Sequence, residues 1–236
     1  MFPIKDNIPT HQFPVVTLGL IIANVMVYLW EISSPGLEAH VNEWGYYPCE
    51  IEGPCVGAAT GHQPLWQMAF TSMFMHGGLL HLAGNMLFLW IFGNNVEDAL
   101  GRLKFLLWYL SAGLAATALQ TIVTLHWGDA QEASIPNVGA SGAIAGVLGA
   151  YFVLHPRANV LTAIILGFFF LVREVPAIFF LGIWFLFQAI EGGFSIIHPE
   201  AGGGVAFFAH VGGFVFGLLT VLIVAARRPR PAYAHG

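Results

Sequence analysis

Six apolar stretches, each as long as a bilayer core or close to it, leave this sequence little choice of fold. They run over residues 13–32, 79–96, 103–125, 140–154, 177–190 and 206–225. The first carries only Thr17 and Asn24 as polar interruptions, with Glu31 at its end, and has the roughly 20-residue length that spans a hydrocarbon core. No small-residue cleavage site follows it, so it reads as a retained span and not a signal peptide. Composition agrees: the 236 residues are 57% hydrophobic and 9% charged, where a soluble domain carries about 25% charged residues. The expected fold class is an all-α integral membrane protein, a compact bundle of six transmembrane helices.

Lys and Arg number eight, Asp and Glu thirteen, for a net charge of −5. No basic cluster is dense enough to neutralise a phosphate backbone, so nucleic acid is excluded as a partner. With six spans, Lys5, Arg102, Lys104, Arg157, Arg173, Arg227, Arg228 and Arg230 all fall on the side that holds both termini. Because cytoplasmic loops carry the excess of Lys and Arg, both termini are expected in the cytoplasm. The opposite loops hold Glu38, Glu43, Glu50, Glu52, Asp129, Glu132, Glu191 and Glu200. Residues 160–172 are apolar but too short to span with another span directly following, which predicts an interfacial strand pair or helix on the cytoplasmic face. The first outer loop holds both cysteines, Cys49 and Cys55. On an oxidising face they are a candidate disulfide, two free thiols being the alternative.

Polar side chains on a span are costly and are functional hypotheses by default. His81 and Asn85 stand four apart at the start of span two, on one helix face, both able to donate to a shared point. His76 precedes them. Taken alone, such a pair also serves as interhelical packing glue. Span four opens with Gly139, Ala140, Ser141 and Gly142, followed by Gly146 and Gly149; span six carries His210, Gly212, Gly213 and Gly217. Small residues at each turn let two backbones approach closely. If these faces pack together, a hydroxyl lies beside an imidazole. A serine nucleophile needs a general base within reach, and an oxyanion needs preorganised donors, so Ser141, His210 and the His81/Asn85 pair are the parts of an acyl-transfer site. No acid lies inside spans four or six to orient His210, which predicts a dyad; Glu191, Asp129 and Glu132 are remote candidates at loop ends. Ser141 lies below the outer membrane surface, so hydrolysis there requires a water-filled depression, with residues 127–138 and 195–205, including Gly202, Gly203 and Gly204, as candidate walls. A metal site is disfavoured because no His-Glu-x-x-His helix exists.

At these residues the sequence resembles the rhomboid family of intramembrane serine proteases, over 13–227. The markers stand in order: His76, His81 and Asn85; Gly139, Ala140, Ser141 and Gly142; Ala209, His210, Gly213 and Gly217; with Glu97 and Gly101 after span two. The resemblance implies Ser141 as nucleophile and His210 as general base. It further implies His81, Asn85 and the Ser141 backbone N–H as oxyanion stabilisers, and His76, Gly139, Gly142, Gly213 and Gly217 in support. It implies a serine endopeptidase without cofactor or metal, acting on transmembrane segments of other proteins in the lipid bilayer, with span five and the loop after it as the gate. The expected organisation is a short cytoplasmic segment 1–12, a membrane domain 13–227 and a cytoplasmic tail 228–236. The expected location is a prokaryotic cell (inner) membrane, with the site opening to the outer face. Trp66 is followed by Gln67 where many members carry Arg, and Ala145 stands where many carry a Tyr that stacks on the histidine. Phe207, Phe208 or Phe214 are the expected substitutes for that ring. The competing readings are a non-catalytic binder or chaperone of transmembrane helices, and a transporter, for which no inverted repeat speaks.

Overall fold

The computed structural model describes residues 2–56, 63–166, 169–197 and 206–225. Arg227, Arg228, Arg230 and the expected tail lie outside these residues, as do Gly202, Gly203 and Gly204. The described chain is mostly helical. Strand β1 (Phe2–Asp6) precedes α1 (Val15–Glu31), and two short helices follow, α2 (Leu37–Trp44) and α3 (Leu65–Thr71). Next comes α4 (Leu79–Phe88), which runs through a π-turn at Leu89–Gly93 into α5 (Asn94–Leu100), then α6 (Arg102–Trp127) and α7 (Ser141–Leu154). Strands β2 (Asn159–Leu166) and β3 (Phe169–Pro176) lead into α8 (Ala177–Ile197), and α9 (Phe207–Val224) ends the described chain.

Among the described residues, four helical segments are long and apolar enough to cross a membrane: Leu79–Leu100, Arg102–Trp127, Ala177–Ser195 and Phe207–Val224. The apolar helices Val15–Glu31 and Ser141–Leu154 are shorter and coincide with the first and fourth expected spans. The protein is an integral membrane protein.

Helix α7 sits at the centre because its side chains are small. Every residue from Gly142 to Tyr151 is buried. A Cβ on Gly142 or Gly146 would press on Ala116 or Ala112 of α6, at 2.6 and 2.7 Å, and a Cβ on Gly213 or Gly217 of α9 would strike the carbonyl oxygens of Gly142 and Gly146. Three helices thus pack at near backbone contact, where dispersion and not water exclusion holds membrane helices together. Trp108 of α6 adds a hydrogen bond from its indole N–H to Thr220 Oγ1 on α9, 2.9 Å.

Glu97 fixes α1 against α5. Its carboxylate accepts the Val16 and Thr17 backbone N–H groups, at 3.0 and 2.7 Å, and the Thr17 hydroxyl, at 2.8 Å. These are first-turn donors that a helix cannot satisfy itself, and a negative charge there also favours the helix dipole. Gly101, at φ +81°, then turns the chain from α5 into α6, a conformation that favours glycine.

Residues 160–172 contribute to a strand pair, the first of the two expected forms. The β-branched and aromatic content of β2 and β3 suits strands, which pair antiparallel from Asn159↔Pro176 to Leu166↔Phe169. Beyond that expectation, β1 joins them on the other side of β2, giving the order β1-β2-β3. The segment 1–12 therefore contains a strand that covers one edge of β2. Between α2 and α3, Cys49 and Cys55 are joined by a disulfide, with Cα atoms 5.4 Å apart.

Candidate active site

Ser141 is the first residue of α7, where backbone N–H groups have no partner within the helix. Its position depends on Gly139, whose φ of +130° favours glycine, and whose missing Cβ leaves room for the His81 ring: a Cβ would lie 2.9 Å from His81 Nε2 and 3.6 Å from Ser141 Oγ. The Gly139 N–H donates to the Ser72 carbonyl at 2.9 Å, which ties the turn to the segment before α4.

The glycine contacts between α7 and α9 bring His210 opposite Ser141. Ser141 Oγ lies 2.9 Å from His210 Nε2, across 69 residues of chain. His210 Nδ1 lies 2.6 Å from Gln188 Oε1 of α8. The oxygen of an amide only accepts, so Nδ1 carries the proton and Nε2 offers its lone pair to the serine hydroxyl. The start of α9 is held by Gln120 of α6, whose Oε1 accepts the Ala209 N–H at 3.1 Å.

His81 and Asn85 lie on the same face of α4, as their spacing predicts, and line one cavity with Ser141 and His210. That cavity measures about 500 Å³ and is walled by Pro136, Asn137 and Val138, with Trp184 and Gln188 from α8. The Asn85 Nδ2 is buried and has no hydrogen-bond partner among the described residues, an uncommon state for a buried donor. His76 is fully buried; its Nδ1 lies 3.2 Å from the Phe74 carbonyl, and its ring meets His81 edge-on at 5.1 Å. A second, smaller cavity of about 40 Å³ adjoins Ser141 and is lined by Ser72, Thr117, Gln120 and Asn137, room and polarity enough for water.

Two expectations need correction. The ring against His210 is Trp184, with centroids 5.8 Å apart, and not Phe207, Phe208 or Phe214; Phe214 instead meets Trp184 and stacks on Phe185. The residue on His210 Nδ1 is Gln188, and not Glu191, Asp129 or Glu132. Sequence reasoning passed over Gln188 and Trp184. The available signal was the amide itself, a hydrogen-bonding side chain within an otherwise apolar span.

A family model for the Rhomboid domain matches residues 62–227, the stretch that contains every residue of this cavity. The chain belongs to the rhomboid family. Among rhomboid relatives, the mitochondrial Rhomboid protein 1 of Saccharomyces cerevisiae is 30% identical over 171 residues, covering 70% of this chain and 39% of the relative. The human mitochondrial presenilin-associated rhomboid-like protein is 30% identical over 210 residues, 85% of this chain and 46% of that protein. Rhomboid protease GluP of Bacillus subtilis is 36% identical over 122 residues, 47% of this chain and 22% of its own length. The chain spans less than half the length of each of these three rhomboids. The residues of the Ser141 to His210 contact all lie on the helices that the rhomboid domain match includes.

Proposed function

We propose that the protein is an intramembrane serine endopeptidase that hydrolyses peptide bonds in or near transmembrane segments of other membrane proteins. The observation that carries this reading is the 2.9 Å contact between Ser141 Oγ and His210 Nε2, in a cavity large enough for an unwound segment of substrate. Ser141 Oγ attacks the scissile carbonyl carbon while His210 Nε2 takes the hydroxyl proton. The resulting oxyanion is met by the Ser141 backbone N–H, His81 and the unpartnered Asn85 Nδ2. Collapse breaks the C–N bond as His210 returns the proton to the leaving amine, and a water repeats the sequence on the acyl-enzyme to free Ser141. His76 supports His81 from behind.

The reading extends to topology. Six membrane helices, α1, α4 with α5, α6, α7, α8 and α9, form the domain 13–227, with both termini cytoplasmic, a leading segment 1–12 and a tail 228–236. The site then opens to the outer face, and α8 with the loop after it is the entry for a substrate helix. Relatives named mitochondrial and a Bacillus protease match alike, so the choice of a prokaryotic membrane is not carried forward.

The test is fluorophosphonate labelling of the purified protein in detergent, with cleavage of a model transmembrane substrate. Wild type labels at Ser141 and cleaves; folded Ser141→Ala and His210→Ala variants do neither. Cleavage retained in either variant refutes the dyad. A protein whose effect on a client is the same in wild type and Ser141→Ala is instead a non-catalytic binder of membrane helices.

A further inference from the structure

We propose that Gln188 is a positioning residue for His210, so that an amide from α8 completes the dyad; this rests on the protease reading above. A neutral imidazole has two tautomers, and only the one with its proton on Nδ1 can accept the serine proton at Nε2. In serine hydrolases with a triad, an acid holds that tautomer. Here the acceptor is Gln188 Oε1, 2.6 Å from His210 Nδ1. Trp184, four residues earlier on the same helix, meets the imidazole ring at 5.8 Å and 42°. Two side chains of one helix thus set both the proton and the plane of the base.

The choice of an amide has a physical reason. An amide dipole strengthens its bond to Nδ1–H when His210 becomes an imidazolium and adds no charge of its own, whereas a carboxylate there would depend on the imidazolium to offset its desolvation. Among the described residues that line the cavity, the one titratable side chain besides His210 is His81 of α4. The acids that the sequence offered do not serve: Asp129 Oδ1 instead accepts the Glu132 N–H at 2.7 Å, and His210 Nδ1 is already taken up by the amide one turn before Glu191. A consequence follows for the entry route. Gln188 and Trp184 line the cavity from α8, so displacing α8 from α9 would remove the acceptor, and the base is competent only with α8 in place.

The experiment compares Gln188→Met, which keeps length and volume but accepts no hydrogen bond, with Gln188→Glu, which keeps an oxygen at the same reach. Full-length wild type and both variants are assayed in detergent for melting midpoint, for the rate of fluorophosphonate labelling at Ser141, and for kcat and KM on a model transmembrane substrate. Gln188→Met is expected to lower kcat and the labelling rate about 10- to 100-fold while changing KM less than about twofold, and Gln188→Glu to recover most of that loss. A folded Gln188→Met that labels as fast as wild type, or a folded Gln188→Glu as slow as Gln188→Met, overturns the positioning role and leaves the protease reading intact. If Gln188→Met does not fold, Gln188→Glu decides: a rate within about threefold of wild type supports the role, and a larger loss refutes it. Folded wild type that neither labels nor cleaves removes the protease reading and this inference together.

Discussion

Glu31 closes on His76: both of its carboxylate oxygens accept the His76 backbone N–H, at 3.1 and 3.2 Å. Glu31 ends α1 and His76 stands just before α4, and both side chains are fully buried. The contact therefore ties α1 to the segment that presents His81, whose ring the His76 imidazole touches. Glu31→Leu leaves a buried N–H without an acceptor, which costs about 1–3 kcal/mol; Glu31→Gln keeps a carbonyl oxygen there and costs less. Melting in detergent should rank wild type, Gln, then Leu, with probe labelling of Ser141 falling in the same order. A Glu31→Leu protein that melts with wild type would remove this role.

The glycines between α7 and α9 make a sharper prediction. Gly213→Ala places a methyl against the Gly142 carbonyl, and Gly217→Ala one against the Gly146 carbonyl. Backbone cannot step aside as a flexible side chain can, so each substitution forces the helices apart and destabilises by roughly 1–3 kcal/mol or more. Because Ser141 and His210 sit at one end of this contact, labelling at Ser141 should be lost before the fold is. Gly19→Ala on α1 meets nothing within 4 Å and serves as the control, neutral or slightly stabilising through helix propensity. Equal melting of Gly213→Ala and Gly19→Ala would contradict the close approach.

Ser141, His210, His81 and Asn85 were legible because each is a polar side chain on an apolar helix, with a periodic set of small residues beside Ser141 and His210 and a four-residue spacing joining His81 to Asn85, and these signals are local to a single span. The glycine spacing offered the pairing of α7 with α9 as a condition, which the contacts of Gly213 with Gly142 and of Gly217 with Gly146 meet. Gln188 and Trp184 were harder to read: the amide stands out in an apolar span, but Gln188 meets His210 across 22 residues through the approach of a third helix, and the α8 period does not say which residue that face will meet. The strand β1 was missed for a related reason. Its register against β2, Phe2↔Ala163 to Asp6↔Val160, is a contact between distant parts of the chain, and a short stretch near the N-terminus carries no periodicity long enough to predict it. Residues 160–172 were half legible, since their length excluded a span while their composition left strand and helix open.

The pH dependence of activity has a definite sign. His210 accepts the serine proton only when neutral, so kcat/KM should fall by about tenfold per pH unit below the His210 pKa and level off above it. The limb belongs to His210 if the labelling rate at Ser141 follows the same curve, because labelling needs the base but no substrate helix. A labelling rate that stays flat while kcat/KM falls over the same pH range would assign the limb to a group other than His210.

Stability should follow a different group, Asp6 at the end of β1. Its Oδ2 accepts the Tyr151 hydroxyl of α7 at 2.5 Å and the Asn95 amide of α5 at 2.6 Å, joining the sheet to the helices. Burial raises the Asp6 pKa above its ordinary value of 3.8, and the Tyr151 hydrogen bond opposes that rise in part. The folded state thus holds the Asp6 proton to higher pH than the unfolded chain does. Between 3.8 and the raised value the native state binds more protons, so stability falls as pH rises through that window and is constant above it. Asp6→Asn cannot ionise, and its carbonyl oxygen accepts both donors as the neutral acid would. The substitution should therefore abolish this downward component and raise the melting midpoint at neutral pH. Melting curves of both proteins in detergent, taken stepwise upward from pH 3.5, check the point: the difference between wild type and Asp6→Asn must grow with pH across the window, and a difference that stays constant would show that Asp6 does not titrate there.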